Sequence, residues 1–336
     1  VKPVAALRSL IAGTSYHIAR FVSVRFRDRL EAVLASQDYD VVQLETLYMC
    51  PYIETIRAHS NAKIVLRAHN IEHLIWQRIA EDTSNPFKKW YIGKLAGTLK
   101  QYEDSVTRAV DGIVAITSKD AAYFAGANSK MQNAKNEEVP VIGIPFGIDP
   151  EKYKEPGIPA EFPSLFSLGS MNWIPNQAGI RWFLKEVWPD IHRNFPHLKY
   201  YLAGREMPAW MRSLKMTNII VLGEVKDAKE FLASKSIMIV PLFSGSGIRI
   251  KIIEGMAAGK TIISTTIGAE GITCAPRGDI MIADTACEFF EAISICVSDQ
   301  VLCAKMGRRA MELIEKEYNS RILVRKLLGF YQELPG

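Results

Sequence analysis

The run Gly245-Ser246-Gly247-Ile248-Arg249-Ile250-Lys251-Ile252-Ile253-Glu254 concentrates the residues best suited to chemistry. Glycines let a backbone approach a ligand closely, and a helix that starts after them offers free N–H groups and a partial positive charge to an anion. The apolar spacing predicts that helix over 250–258, with Arg249 at its mouth as a forked phosphate contact. Lys251 and Glu254 lie three apart and share a helix face, whereas Ile252 and Met256 share another that suits a core. A cation near phosphates with a carboxylate one turn deeper fits a nucleotide diphosphate, the carboxylate accepting the ribose hydroxyls. The plain alternative is a surface Lys–Glu pair on a core helix; the flanking glycines favour the ligand.

A site of this kind needs a sheet edge to carry it. Short apolar, β-branched runs at 41–44, 64–66, 112–116 and 139–144, then at 165–168, 200–203, 219–222, 237–240, 261–264 and 280–282, read as strands with helices between them. Continuous rather than alternating apolar runs suit strands buried on both faces of parallel sheets. Ligands of such sheets bind at the carboxyl ends of the strands. Loops that follow strands there include Gly169-Ser170, Gly204-Arg205, Gly223-Glu224-Val225 and Gly268-Ala269-Glu270-Gly271-Ile272. The last can aim successive amides at an anion, while Gly204, Arg205 and Val225 are placed to bracket a base.

The proline- and glycine-rich stretch 145–163 is the best linker in the chain. It divides an N-terminal domain, 1–155, from a second domain, 156–320, that carries the glycine-rich loops, followed by a last amphipathic helix, 321–336, expected to pack back on the first domain. The first half offers four strands against six and opens on a basic, helix-like stretch at 15–35. It lacks the strand and glycine-rich turn that normally open a Rossmann-like domain. The chain begins Val1-Lys2-Pro3, so its true start is expected to be missing and this domain to be truncated.

Composition narrows the class. At 336 residues, 48% hydrophobic and 23% charged, the chain is globular with room for two cores. A net charge of +5, with scattered basic residues, argues against a nucleic-acid partner. Cys50, Cys274, Cys287, Cys296 and Cys303 show neither a C-x-x-C pair nor metal-ligand spacing, so they read as small apolar side chains in a reducing, cytoplasmic compartment. No apolar run reaches the roughly 18 residues of a membrane span. The basic, aromatic stretch 20–30 reads first as an amphipathic helix with a solvated face, and second as a segment resting on an anionic membrane.

The chain resembles the retaining glycosyltransferases of family four, the group 1 enzymes of the GT-B fold. The resemblance is carried by Gly169-Ser170-Met171-Asn172-Trp173-Ile174-Pro175-Asn176, Leu202-Ala203-Gly204, Leu222-Gly223-Glu224-Val225, the run 247–259 and Gly268-Ala269-Glu270-Gly271. Arg67-Ala68-His69-Asn70-Ile71-Glu72-His73 and Phe146-Gly147-Ile148-Asp149 extend it over nearly the whole chain. It implies an α/β protein of two Rossmann-like, doubly wound parallel-sheet domains facing across a cleft. It also implies transfer, with retention and without a metal or other cofactor, from a UDP- or GDP-sugar to a glycan, lipid-linked or small-molecule acceptor. His69 and Glu254 would then be the catalytic pair. Gly169, Ser170, Gly245, Gly247, Arg249, Lys251, Ala269, Glu270 and Gly271 would hold the diphosphate. Gly204, Arg205, Val225 and Glu254 would hold the nucleoside, and Asn70 and Glu72 would face the acceptor. Two positions depart from the family pattern. Ser246 stands where an earlier glutamate is common, and the loop Ser170-Met171-Asn172-Trp173 lacks the usual cations, so Arg249 and Lys251 are expected to take over the charge neutralisation.

Competing patterns point elsewhere. His69, Glu72 and His73 fit the H-x-x-E-H of inverted zinc peptidases, but His69 follows a strand directly and so belongs to a strand end. Asp38-Tyr39-Asp40 resembles a D-x-D metal motif, yet it precedes a strand, at the wrong sheet edge. Gly245-Ser246-Gly247 completes no G-x-G-x-x-G, because Ile250 fills its last position. A sugar-nucleotide epimerase and a non-catalytic nucleotide-sugar binder remain the alternatives to transfer.

Overall fold

The computed structural model describes residues 16–128, 138–153, 159–245 and 247–335. The chain divides into two compact units, residues 1–145 with 325–336, and residues 146–324.

The first unit carries a parallel sheet in the order β1-β2-β3-β4, formed by β1 (Val41–Glu45), β2 (Lys63–Ala68), β3 (Gly112–Ala115) and β4 (Val141–Gly143). Its inner strands are the apolar runs of the sequence, and Ile64, Val65, Leu66, Ile113 and Val114 are all buried. Asp38, Tyr39 and Asp40 lie before β1, outside regular structure. The basic stretch 15–35 is not one helix. A short helical turn, Tyr16–Ala19, precedes α1 (Val24–Leu34), because the Ser23 hydroxyl accepts from the Phe26 amide and starts a new helix there. After β2 come α2 (Glu72–Glu81) and the long α3 (Pro86–Ala109). Asn85 caps α3 and Pro86 opens it, where a missing N–H costs nothing.

The second unit is a six-stranded parallel sheet in the order β10-β9-β8-β5-β6-β7. Its strands are β5 (Leu165–Leu168), β6 (Tyr200–Ala203), β7 (Ile219–Gly223), β8 (Ile237–Val240), β9 (Thr261–Ser264) and β10 (Met281–Ile282). Alternate side chains feed two cores. Leu165, Leu202, Ile237, Ile239 and Ile263 meet Phe183, Trp188 and Phe289 on one face; Phe166, Met238, Val240 and Ile262 meet Ile252, Met256 and Ala310 on the other. Helix α4 (Ile174–Trp182) follows β5, and α5 (Ile250–Ala257) follows β8. The helices α6 (Ala286–Ser298) and α7 (Gln300–Glu317) close the unit. A capping box of Thr285 and Glu288 starts α6, and the Asp299 carboxylate caps α7. The last helix, α8 (Ser320–Gln332), begins in this unit, where the Ser320 amide donates to Ile148, and its final residues belong to the first.

All five cysteines are free thiols; Cys50, Cys296 and Cys303 are buried, Cys274 is half-buried and Cys287 is exposed. No helix among the described residues is long and apolar enough to cross a membrane.

Candidate functional site

The second sheet changes direction at β5. From there the chain runs outward through β6 and β7, then returns to lay β8, β9 and β10 on the other side. A crevice opens at the carboxyl edge wherever neighbouring loops leave in opposite directions, and such switch points are where doubly wound sheets hold ligands. Here it lies between β5 and β8, whose loops are Gly169-Ser170 and 241–249.

The β8 loop bends through Gly245 and Gly247, at φ +115° and +77°, values that disfavour residues with a side chain. A Cβ at Gly245 would also meet the Arg249 guanidinium at 2.9 Å and the Trp173 ring at 3.0 Å. Ser246 lies outside the described residues. Arg249 precedes the first turn of α5, is buried, and donates to the Gly247 carbonyl. Its guanidinium carbon stands 5.4 Å from the Trp173 ring centre. Burial pulls its pKa down and the negative charge of Glu270 opposes that. Glu270 thereby connects the β9 loop electrostatically to the mouth of α5.

Lys251 and Glu254 leave α5 toward different partners. The Lys251 ammonium donates to Asn176 Oδ1 at 2.7 Å, and its stem passes over Gly169, 3.7 Å from where a Cβ would stand. Burial, then repulsion from Arg249, lowers its pKa to about 7. Glu254 accepts the Tyr153 hydroxyl at 2.8 Å. Burial, then this hydrogen bond and the carboxylate charge, raise the Tyr153 pKa.

Loops on the other side of the switch point are stitched to one another. Gly204 approaches so closely that a Cβ there would stand 1.8 Å from the Gly169 carbonyl oxygen. The Met171 amide donates to Arg205 at 2.8 Å, the Gly204 amide to Gly223 at 2.7 Å, and the Asn172 side chain to Glu206. Arg205 is exposed, and half-buried Val225 packs on the core beyond β7. In the β9 loop the amides of Gly268, Ala269, Glu270 and Ile272 already donate within the loop or to its Thr265 anchor. They face inward, so the charge of Glu270 and the turn at Gly271 are what this loop presents. The predicted residues Gly169, Ser170, Gly204, Arg205, Val225, Gly245, Gly247, Arg249, Lys251, Glu254 and Ala269 to Gly271 therefore belong to the loops and helix start at one edge of one sheet.

In the first unit His69 leaves the end of β2 and contacts Glu45 at the end of β1, Nε2 to Oε2 at 2.7 Å. Glu72 opens α2, is buried, and accepts the Tyr48 hydroxyl at 2.7 Å. Its burial raises its pKa, while hydrogen bonds from Tyr48 and Asn70 oppose the rise. His73 is buried against Glu103 through Nδ1, and the Tyr123 hydroxyl lies 3.2 Å from its Nε2. The two histidines thus serve separate carboxylates. Among the described residues no group of three or more His, Cys, Asp and Glu could hold a metal ion. His69 and His73 meet different carboxylates, so His69, Glu72 and His73 do not share the one helix face that the H-x-x-E-H pattern requires.

Asn176 and Tyr153 hold the two charged groups of α5, yet sequence spacing did not mark either as a site residue. Asn176 stands at the end of the run 169–176, but it meets Lys251 from 75 positions away and no local spacing signals that contact. Tyr153 meets Glu254 from 101 positions away, and no local pattern signals that pairing.

Known proteins resemble the chain in sequence and in fold. The model of the family Glycosyl transferases group 1 matches residues 163–299, from just before β5 to the end of α6. An uncharacterized 44.6 kDa protein in the cps region of Klebsiella pneumoniae is 22% identical over 312 residues, covering 89% of this chain and 76% of its own. The sucrose-phosphate synthase of Thermosynechococcus elongatus superposes with a TM-score of 0.66 at 16% identity, over 92% of this chain and 77% of that one. HepE of Anabaena, in complex with UDP, superposes at 0.67 and 12% identity, over 92% and 82%. An α,α-trehalose-phosphate synthase from Burkholderia xenovorans, with glucose-6-phosphate, does so at 0.65 and 11%, over 91% and 77%. The chain therefore has the GT-B fold, and in residues 163–299 it carries a group 1 glycosyltransferase domain.

Proposed function

We propose that the chain is a retaining glycosyltransferase that takes a sugar from a UDP- or GDP-sugar without a metal ion. The observation that carries this reading is α5 at the switch point: Arg249 and Lys251 at its mouth, with Glu254 one turn deeper. Two cations at a helix N-terminus neutralise a diphosphate as it leaves, and stabilising that charge is the principal demand of the reaction. Gly169, Ser170, Gly245, Gly247 and the Ala269–Glu270–Gly271 turn border the diphosphate. Gly204, Arg205 and Val225 border the base, and Glu254 accepts the ribose hydroxyls. The acceptor hydroxyl attacks the face the diphosphate leaves, which preserves the anomeric configuration. His69 contacts the transferred sugar, and Asn70 and Glu72 orient the acceptor. HepE has been solved with UDP-glucose as well as UDP, and that precedent favours a nucleoside diphosphate sugar.

The relative in a cps region supports a glycan or lipid-linked acceptor and a role in polysaccharide biosynthesis. An anionic lipid surface fits as the place of work, at the inner face of a membrane. Phe21, Val22, Val24 and Phe26 are exposed among Arg20, Arg25, Arg27 and Arg29, and Phe87 (86% exposed) and Trp90 (59%) stand beside Lys88 and Lys89. Exposed aromatics flanked by cations suit a bilayer interface.

A thermal-shift screen of UDP, GDP and their sugars tests the donor assignment. One nucleoside diphosphate should raise the unfolding temperature well beyond its nucleoside; no shift with any of them would remove the assignment. Incubation of the stabilising sugar nucleotide without acceptor separates transfer from epimerisation, because only an epimerase yields a new sugar nucleotide. A non-catalytic binder would show saturable binding and no turnover with any acceptor.

A further inference from the structure

We propose that Asn176 is a positioning residue of the donor site, holding the Lys251 ammonium over the Gly169-Ser170 loop and so giving a cation-free loop its positive charge. The inference rests on the donor reading above and names a residue that reading does not use. Asn176 lies in the first turn of α4 and is 7% exposed. Both ends of its amide are engaged: Nδ2 donates to the Ser170 carbonyl at 2.8 Å, and Oδ1 accepts from Lys251 Nζ at 2.7 Å. One side chain therefore ties the β5 loop to α5 across the switch point.

That placement has a chemical consequence. A neutral amide oxygen orients an ammonium without cancelling its charge, so the ammonium keeps its attraction for a phosphate. A carboxylate in the same place would hold the lysine more tightly and offset that attraction. Arg249 is the charged group that acts on Lys251 and it is repulsive; Glu254, on the same helix, is turned to Tyr153. The Asn176 amide oxygen accepts from the ammonium, a contact that favours the protonated lysine.

Calorimetric titration of the full chain with UDP and uridine, and with GDP and guanosine, from pH 6 to 9 tests the role. Asn176→Ala should weaken the bound diphosphate about tenfold or more, as expected for a lost hydrogen bond to a charged group. It should change nucleoside affinity less than about twofold and move the alkaline fall of diphosphate binding to lower pH. Asn176→Asp, nearly isosteric, guards against a folding defect; it should also weaken the diphosphate but move that fall to higher pH. Opposite pH movements in the two variants are not expected of a merely structural residue. Equal losses for diphosphate and nucleoside, or an unmoved pH profile in both variants, would overturn the positioning role while leaving the donor site intact. Absence of diphosphate binding by the unsubstituted chain would instead overturn the donor reading, and this role with it.

Discussion

At the residue scale the site is defined by what surrounds its three charged side chains. Arg249 is buried beside an aromatic ring, Lys251 is held by an amide, and Glu254 by a phenol. With its pKa lowered to about 7, Lys251 is mostly neutral at pH 8 in the free protein, and under the proposed function it becomes charged against a diphosphate. Binding of UDP or GDP near pH 8 should therefore take up a proton, read as a dependence of binding heat on buffer ionisation enthalpy, and Lys251→Met should abolish it. The sign for stability follows from the same shift. The unfolded chain binds the Lys251 proton up to about pH 10.4, so between about 7 and 10.4 this residue's contribution to stability rises with pH. Tyr153→Phe removes the hydrogen bond to Glu254 and should cost about 1 kcal/mol of nucleoside affinity, measured by titration with uridine or guanosine, with the diphosphate increment retained.

At the element scale, the loop between β8 and α5 decides where those side chains stand. Gly245→Ala combines a φ of +115° with a methyl 2.9 Å from the Arg249 guanidinium, and should lower unfolding free energy by about 1–3 kcal/mol while displacing Arg249. Denaturant unfolding alongside UDP titration reads both effects; a variant as stable and as tight as the original would show the loop to be tolerant. Much of this scale was legible in the sequence. Apolar runs at 165–168, 200–203, 237–240 and 261–264 coincide with β5, β6, β8 and β9, because strands buried on both faces are built mostly of apolar residues. Lys251 and Glu254 were legible as charged residues one turn apart on a helix. Their partners were not, since Asn176 and Tyr153 reach them through tertiary packing. The split of the basic stretch at Ser23 was missed because a single serine hydroxyl, not the apolar periodicity, starts the second helix.

For the whole molecule, the proposed donor chemistry rests on protein cations alone, so EDTA should leave turnover of the donor found by thermal shift unchanged, and loss of activity restored by a divalent ion would contradict it. Co-sedimentation with vesicles containing anionic lipid should exceed that with neutral vesicles and should drop when Phe87 and Trp90 are changed to Ser; equal sedimentation with both vesicle types would remove the membrane surface from the account. The central claim is that the edge formed by Arg249, Lys251 and Glu254 binds a nucleoside diphosphate. Its most direct test is calorimetric titration of the unsubstituted chain, Arg249→Ala and Lys251→Ala with UDP, GDP, uridine and guanosine. One diphosphate should bind far more tightly than its nucleoside, and each substitution should remove about tenfold or more of that advantage with nucleoside affinity little changed. Equal losses for diphosphate and nucleoside, or no preference for the diphosphate at the outset, would contradict it.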